Sequence, residues 1–253
     1  MSQPQPSLVN GEIYHIYNRG VEKRTLFTNT HDYWRFIHDL FIFNDTNPPL
    51  HSRTRLHNNK DQNTDVPLRY ISFPKQPRTL LVDILVFCLM PNHFHLMVRQ
   101  RVDNGITTFM RKLGTGYTNY FNTKYTRVGP LFQGIFKAAP LEHDAHFLHL
   151  PHYIHANPLA LLRTREKEGK ERMEQKMKFL KEYRWSSYLD YMGVKNIPSI
   201  THREPLLKLL NNPSPEKLQK EFMQWLRDFS HKKSTHTLPT ELHTTAFDMK
   251  DET

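Results

Sequence analysis

The chain has 253 residues, 38% hydrophobic and 12% aromatic, which is enough apolar material for a core, and its one cysteine rules out an internal disulfide. A formal charge of +10 at pH 7, with a pI near 9.6, favours a polyanionic partner, nucleic acid ahead of an anionic membrane surface. No apolar run approaches the ~20 residues of a membrane span, and the N-terminus (MSQPQPSLVNGE) lacks the basic-then-apolar order of a secretory signal, so a reducing, cytoplasmic setting is expected.

Residues 13–18 (IYHIYN) are β-branched and aromatic and predict a first strand that turns at Arg19 and Gly20. Thr30 is the expected cap of a helix over 31–44, where Tyr33, Ile37, Leu40 and Phe41 recur at helical spacing. Residues 45–79 are dominated by Asn, Asp, Pro, His and Arg, and predict a loop insertion with a short strand near Tyr70–Phe73. The apolar run 82–89, the turn residues Pro91 and Asn92, and the segment from His93 to Arg99 predict a β-hairpin. Phe109, Leu113, Tyr117, Tyr120 and Phe121 mark a helix over 106–125, interrupted at Gly114 and Gly116. Residues 131–140 read as another strand. Glu142, His143 and Asp144 then open a helix that carries Tyr153 and stops at Asn157-Pro158.

The order strand, helix, strand, strand, helix, strand is that of an α+β, ferredoxin-like (βαββαβ) antiparallel sheet with helices on one face. A helical C-terminal extension follows, with helices expected over 164–184, 203–210 and 215–229 and a polar, disordered tail from about 231. The expected division is one domain over 1–160 and the extension over 161–253.

His93 and His95 lie two apart on a predicted strand, so both imidazoles leave one face while Phe94 points to the other. At that spacing they can share a metal ion, although two surface histidines among 16 would look the same. Tyr153 and Asn157 lie four apart on a predicted helix and so share a face. Taken alone, they read as a core tyrosine and a helix terminator.

Five segments in series change this reading: Tyr14–Gly20 (YHIYNRG), Cys88–Leu96 (CLMPNHFHL), Arg127–Gly134 (RVGPLFQG), Tyr153–Pro158 (YIHANP) and Trp185–Tyr188 (WSSY). In content and order the chain resembles the single-tyrosine transposases of the HUH nuclease class, in particular the REP-associated tyrosine transposases, over roughly residues 12 to 190. The resemblance implies that Tyr153 is the nucleophile and that His93, His95 and Asn157 are the ligands of Mg²⁺ or Mn²⁺. It further implies a reaction in which single-stranded or hairpin DNA is cut and rejoined through a covalent phosphotyrosine, without a nucleotide cofactor. Two features bear on that geometry. Pro151 would kink a continuous helix or begin a new one, and Pro158 biases Asn157 away from α geometry.

Basic residues support a nucleic-acid partner independently. Arg99, Arg101, Arg111, Lys112, Lys124, Arg127 and Lys137, interleaved with Asn and Tyr, suit a phosphate track. Tyr14, Asn18 and Arg19 match the family's N-terminal signature and are candidate DNA contacts, a β-edge role being the alternative. Two other functions fit less well. A transposase-derived hairpin binder that has lost catalysis would not need the quartet of His93, His95, Tyr153 and Asn157. A zinc protein would need ligands beyond one cysteine.

Overall fold

The computed structural model describes residues 7–47, 78–141, 144–162 and 169–234. Most of the expected insertion, with the strand near Tyr70–Phe73, lies outside the described residues, as do Glu142, His143 and the tail beyond Ser234.

Four strands, β1 (Ile13–Arg19), β2 (Val82–Met90), β3 (His93–Gln100) and β4 (Lys137–Pro140), form one sheet in the order β2-β3-β1-β4. Every neighbouring pair is antiparallel, as the ferredoxin-like reading requires. The crossover helices α1 (Thr30–Ile42) and α2 (Gly105–Lys124) share one face of the sheet. There Phe36, Ile37, Leu40, Phe109, Leu113 and Tyr117 bury against Ile16, Phe94 and Leu96. Strand alternation sends every second residue to the other face, namely Ile13, His15 and Tyr17 on β1 and His93, His95 and Met97 on β3.

That second face is covered by α3 (Asp144–Ala156) and by three later helices, α5 (Tyr188–Tyr191), α6 (Glu204–Leu209) and α7 (Pro215–Ser234). Leu150, Ile154, Tyr191, Leu206 and Leu218 close over Leu85, Cys88, Met90 and Met97. Helix α4 (Gly169–Glu182) packs Met177 and Leu180 against Phe222 and Leu226 of α7. Because both faces are covered, every residue of β2 is buried, which explains why all of them but Asp83 are apolar. Among the described residues no helix is long and apolar enough to cross a membrane.

The free edge of β2 is occupied by the segment around Trp185–Tyr188. Leu89 N donates to Trp185 O at 2.9 Å, Ser187 N to Phe87 O at 3.0 Å, and Phe87 N to Ser187 Oγ at 3.0 Å. Covering these backbone groups removes an edge that would otherwise be open to pairing with another chain.

Local details differ from expectation in five places. Asn29, not Thr30, caps α1, because its side chain accepts from the backbone N–H of His31 and Asp32 while Asp32 completes a capping box. Strand β4 is four residues long instead of ten, because Leu131–Phe136 bends away at Gly134 (φ +91°). Gln133 N donating to Arg19 O, and Asn18 Nδ2 donating to Gly134 O, hold that bend at the end of β1. Helix α3 runs continuously through Pro151, and α7 extends to Ser234, past the expected start of the tail.

Fifth, α2 is unbroken at both glycines. A Cβ on Gly116 would sit 2.4 Å from the buried Phe43 ring, whereas one on Gly114 would meet nothing within 4 Å. Gly114→Ala is therefore expected to stabilise the protein by about 1 kcal/mol through helix propensity. Gly116→Ala is expected to destabilise it by about 1–3 kcal/mol through overpacking. Urea midpoints of the two variants test this, and equal midpoints would remove the packing explanation.

Candidate active site

The sheet face opposite α1 and α2 gathers His15 and Tyr17 from β1, His93 and His95 from β3, and Tyr153 from α3. Tyr17 lies opposite His95 and Arg19 opposite His93 in the β1–β3 register. The His93 and His95 ring centroids are 5.1 Å apart, as expected of alternate residues on one strand. Tyr153 presents its ring edge-on to two imidazoles, with centroids 5.7 Å from His95 and 6.1 Å from His15. Asn157 begins a 3-10 turn (Asn157–Leu161) directly after α3, and its Nδ2 donates to the Tyr153 carbonyl at 2.8 Å. The helix thus delivers Tyr153 and Asn157 together, one turn apart, against the histidine strand.

Burial sets the electrostatics. Desolvation lowers His93 to about 4, assisted by repulsion from Arg19, while a hydrogen bond with Asn157 acts in the opposite sense. His95 is pushed well below its ordinary value, first by burial and then by His15 and His93. Both rings are therefore neutral at physiological pH, which is the form that ligates metals. Burial pushes the Tyr153 phenol up to about 12, an effect that Asn157 partly offsets.

The residues present suit a divalent cation. Nε2 of His95 is fully buried and has no hydrogen-bond partner, and an orphaned buried nitrogen of this kind is costly unless something satisfies it. The His93 ring lies 5.1 Å from that of His95, and the Asn157 side chain hydrogen-bonds with His93. Among the described residues no group of three or more His, Cys, Asp or Glu side chains is placed to hold a metal.

Two other histidines flank the tyrosine but serve packing. His152 lies against Phe222 and Trp225 of α7, with ring centroids at 5.6 and 5.8 Å. His155 is buried, with Nε2 2.9 Å from Ser187 Oγ, and so ties the tyrosine helix to the covered edge of β2.

The expected DNA contacts are largely dispersed. Tyr14 faces the α1/α2 core, where its hydroxyl accepts from Val9 N at 2.8 Å, so it offers no DNA surface. Asn18 anchors the Gly134 bend, and Arg19 is buried beside His93. Arg99 binds the fully buried Asp83 through Nε at 2.9 Å and Nη2 at 2.6 Å, and Arg101 and His202 bind the same carboxylate at 3.0 and 2.8 Å. Burial alone would raise Asp83, but bonds from His202, Arg99 and Arg101 outweigh it and hold the carboxyl below its ordinary value. Arg99 is also six residues along β3 from His93, about 20 Å at strand rise.

Lys124 pairs with Asp32 at 2.6 Å, Lys112 Nζ donates to Asp45 O at 2.6 Å, and Arg127 donates to Asn122 and Pro130. Arg111, Lys112 and Lys124 all belong to α2, across the sheet from the histidines. The cations therefore do not form one continuous track leading to Tyr153.

His15 and Tyr17 escaped the sequence reading. Lys137 pairs with Tyr17 across β1 and β4, and its ammonium lies 5.8 Å from the Tyr17 ring centroid, on the histidine face. The period-two pattern of 13–19 already put His15, Tyr17 and Arg19 on one side. Only the register shows that this side is also that of His93 and His95.

Residues 72–157 match the family described as "Transposase IS200 like", about a third of the chain and a span that includes both histidines, Tyr153 and Asn157. A solved REP-associated tyrosine transposase bound to a REP hairpin is 14% identical, over 78% of this chain and 90% of that one, with a TM-score of 0.49. No curated protein matches the chain.

Proposed function

From the premise that residues 72–157 belong to the IS200-like transposase family, we propose that this protein is a metal-dependent transposase. It would cut and rejoin single-stranded, hairpin-forming DNA through a phosphotyrosine at Tyr153. The supporting observation is the convergence of Tyr153 and Asn157, at the end of α3, on the His93/His95 face of β3.

In this reading the Tyr153 hydroxyl attacks the scissile phosphorus. The new O–P bond forms as the bond to the 3′ oxygen breaks, the phenolic proton passes to solvent, and the leaving oxygen takes up a proton as a free 3′-hydroxyl. The phosphotyrosine retains the bond energy, so a second 3′-hydroxyl can reverse the step without a nucleotide cofactor. A divalent cation, Mg²⁺ or Mn²⁺, held by His93, His95 and Asn157 would neutralise charge developing on the phosphate. With the phenol near 12 the tyrosine rests protonated at neutral pH, so proton loss has to accompany attack. His152 and His155 are not the base, since one packs on α7 and the other is held by Ser187.

Wild-type protein given a labelled hairpin strand and Mn²⁺ is expected to form an SDS-resistant adduct that a chelator prevents. Tight binding of hairpins with no adduct on any of a broad set would favour a non-catalytic hairpin binder instead.

Placement also ranks the cations. Lys137→Gln, on the site face, is expected to reduce the log–log salt slope of strand binding by about one. Arg99→Gln, which breaks an internal ion pair, is expected to alter mainly stability. Fluorescence anisotropy across a salt series distinguishes them, and an unchanged slope for Lys137→Gln would exclude it as a phosphate contact.

A further inference from the structure

Nδ1 of His95 lies 2.9 Å from Nε2 of His15, and the two rings stack with centroids 5.1 Å apart. We propose that His15 is a positioning residue of the metal site: it accepts a hydrogen bond from Nδ1–H of His95 and thereby turns the Nε2 lone pair of His95 toward the cation. The inference rests on the function proposed above and adds a residue outside the segment that matches the family.

A neutral imidazole carries one proton, on one nitrogen, and the hydrogen bond made at one position decides what the other presents. If His15 were the donor, His95 would carry its proton on Nε2. That atom is fully buried without a partner, so a donor there would have no acceptor and no metal could be bound. If His95 is the donor, Nε2 becomes a lone pair, and a cation satisfies it. Metal-ligating histidines commonly donate their other N–H to an orienting partner, most often a carboxylate or carbonyl.

Here the partner is a second imidazole, which orients the ligand without adding charge to the site. Its position is set by the sheet. Tyr17 is paired with His95 and His15 with Met97, so His15 reaches His95 diagonally across two neighbouring strands. Tyr153 contacts both rings edge-on, and the pair therefore also forms the floor against which the nucleophile rests.

Mn²⁺ titration followed by the EPR signal of the free ion tests the assignment on wild type, His15→Phe, His15→Gln and His95→Gln. Wild type is expected to bind and His95→Gln to lose the site. His15→Phe, which keeps the volume but cannot accept, is expected to bind 10- to 100-fold more weakly, roughly the usual cost of losing an orienting partner. His15→Gln, whose amide oxygen can accept, is expected to recover most of that loss.

Should His15→Phe fail to fold, ¹⁵N shifts of histidine-labelled wild type with Mg²⁺ read the tautomer directly. A proton on Nδ1 of His95 supports the proposal, and a proton on Nε2 overturns it. Equal affinity in wild type and His15→Phe overturns it too, as does an equal loss in the Phe and Gln variants. Wild type that binds no Mn²⁺ would instead overturn the metal-dependent function itself.

Discussion

Tyr153→Phe is expected to abolish the covalent DNA adduct, with strand cleavage falling by roughly 10⁴-fold or more, the scale seen when a nucleophile is removed. The substitution deletes one oxygen and leaves the ring. Its edge contacts with His95 and His15, its packing in the second core and the Asn157 bond to its carbonyl can all persist. The melting temperature should therefore change little, and hairpin affinity should stay within a few-fold of wild type. Gel analysis of adducts, together with anisotropy on the same hairpin, separates chemistry from binding. Cleavage at the wild-type rate by the Phe variant would show that another group attacks.

Acidification is expected to destabilise the metal-free protein steeply below about pH 6.5. Burial depresses His15 and His155 to about 3, and His93 and His152 to about 4, from an ordinary 6.5. For a group whose folded pKa is depressed, the unfolded chain takes up the proton first. Stability is thus intact above 6.5 and is lost as the pH falls toward the folded value. At pH 5 all four folded values are still below the solution pH, so the loss is set by the unfolded pKa alone. It amounts to about 2 kcal/mol for each group.

Four such groups together approach the whole stability of a typical domain, about 5–15 kcal/mol. Asp83 and Asp32, also held below their ordinary values, add their own losses only in the carboxylate range below pH 4. Urea midpoints at pH 7.5 and pH 5 in chelator measure the effect. A midpoint that does not move would mean that these imidazoles are hydrated in the folded protein.

Much of the architecture was legible in the sequence, because it depends on neighbours along the chain. Period-two alternation put His93 and His95 on one face of β3, and helical spacing put Tyr153 and Asn157 one turn apart. The succession of periodicities yielded the ferredoxin-like order, and composition pointed to a polyanion. Detail was lost where side-chain chemistry competes with pattern: Asn29 took the cap from Thr30 through its pairing with Asp32, and the bend at Gly134 shortened β4 to Lys137–Pro140.

What the sequence by itself determined, then, is most of the elements and the pairing of candidate site residues within each element, since hydrophobic period and local hydrogen bonding act over a few residues. The tertiary structure alone decided which pairs meet. Strand register set His15 against His95 and Arg19 beside His93, and packing on two faces buried Tyr14 while placing the α2 cations across the sheet from the tyrosine. A single buried carboxylate, Asp83, engaged Arg99, Arg101 and His202. These outcomes turn on contacts between residues distant in sequence, and no local pattern encodes them, because the same alternation fits any register that shifts by two residues.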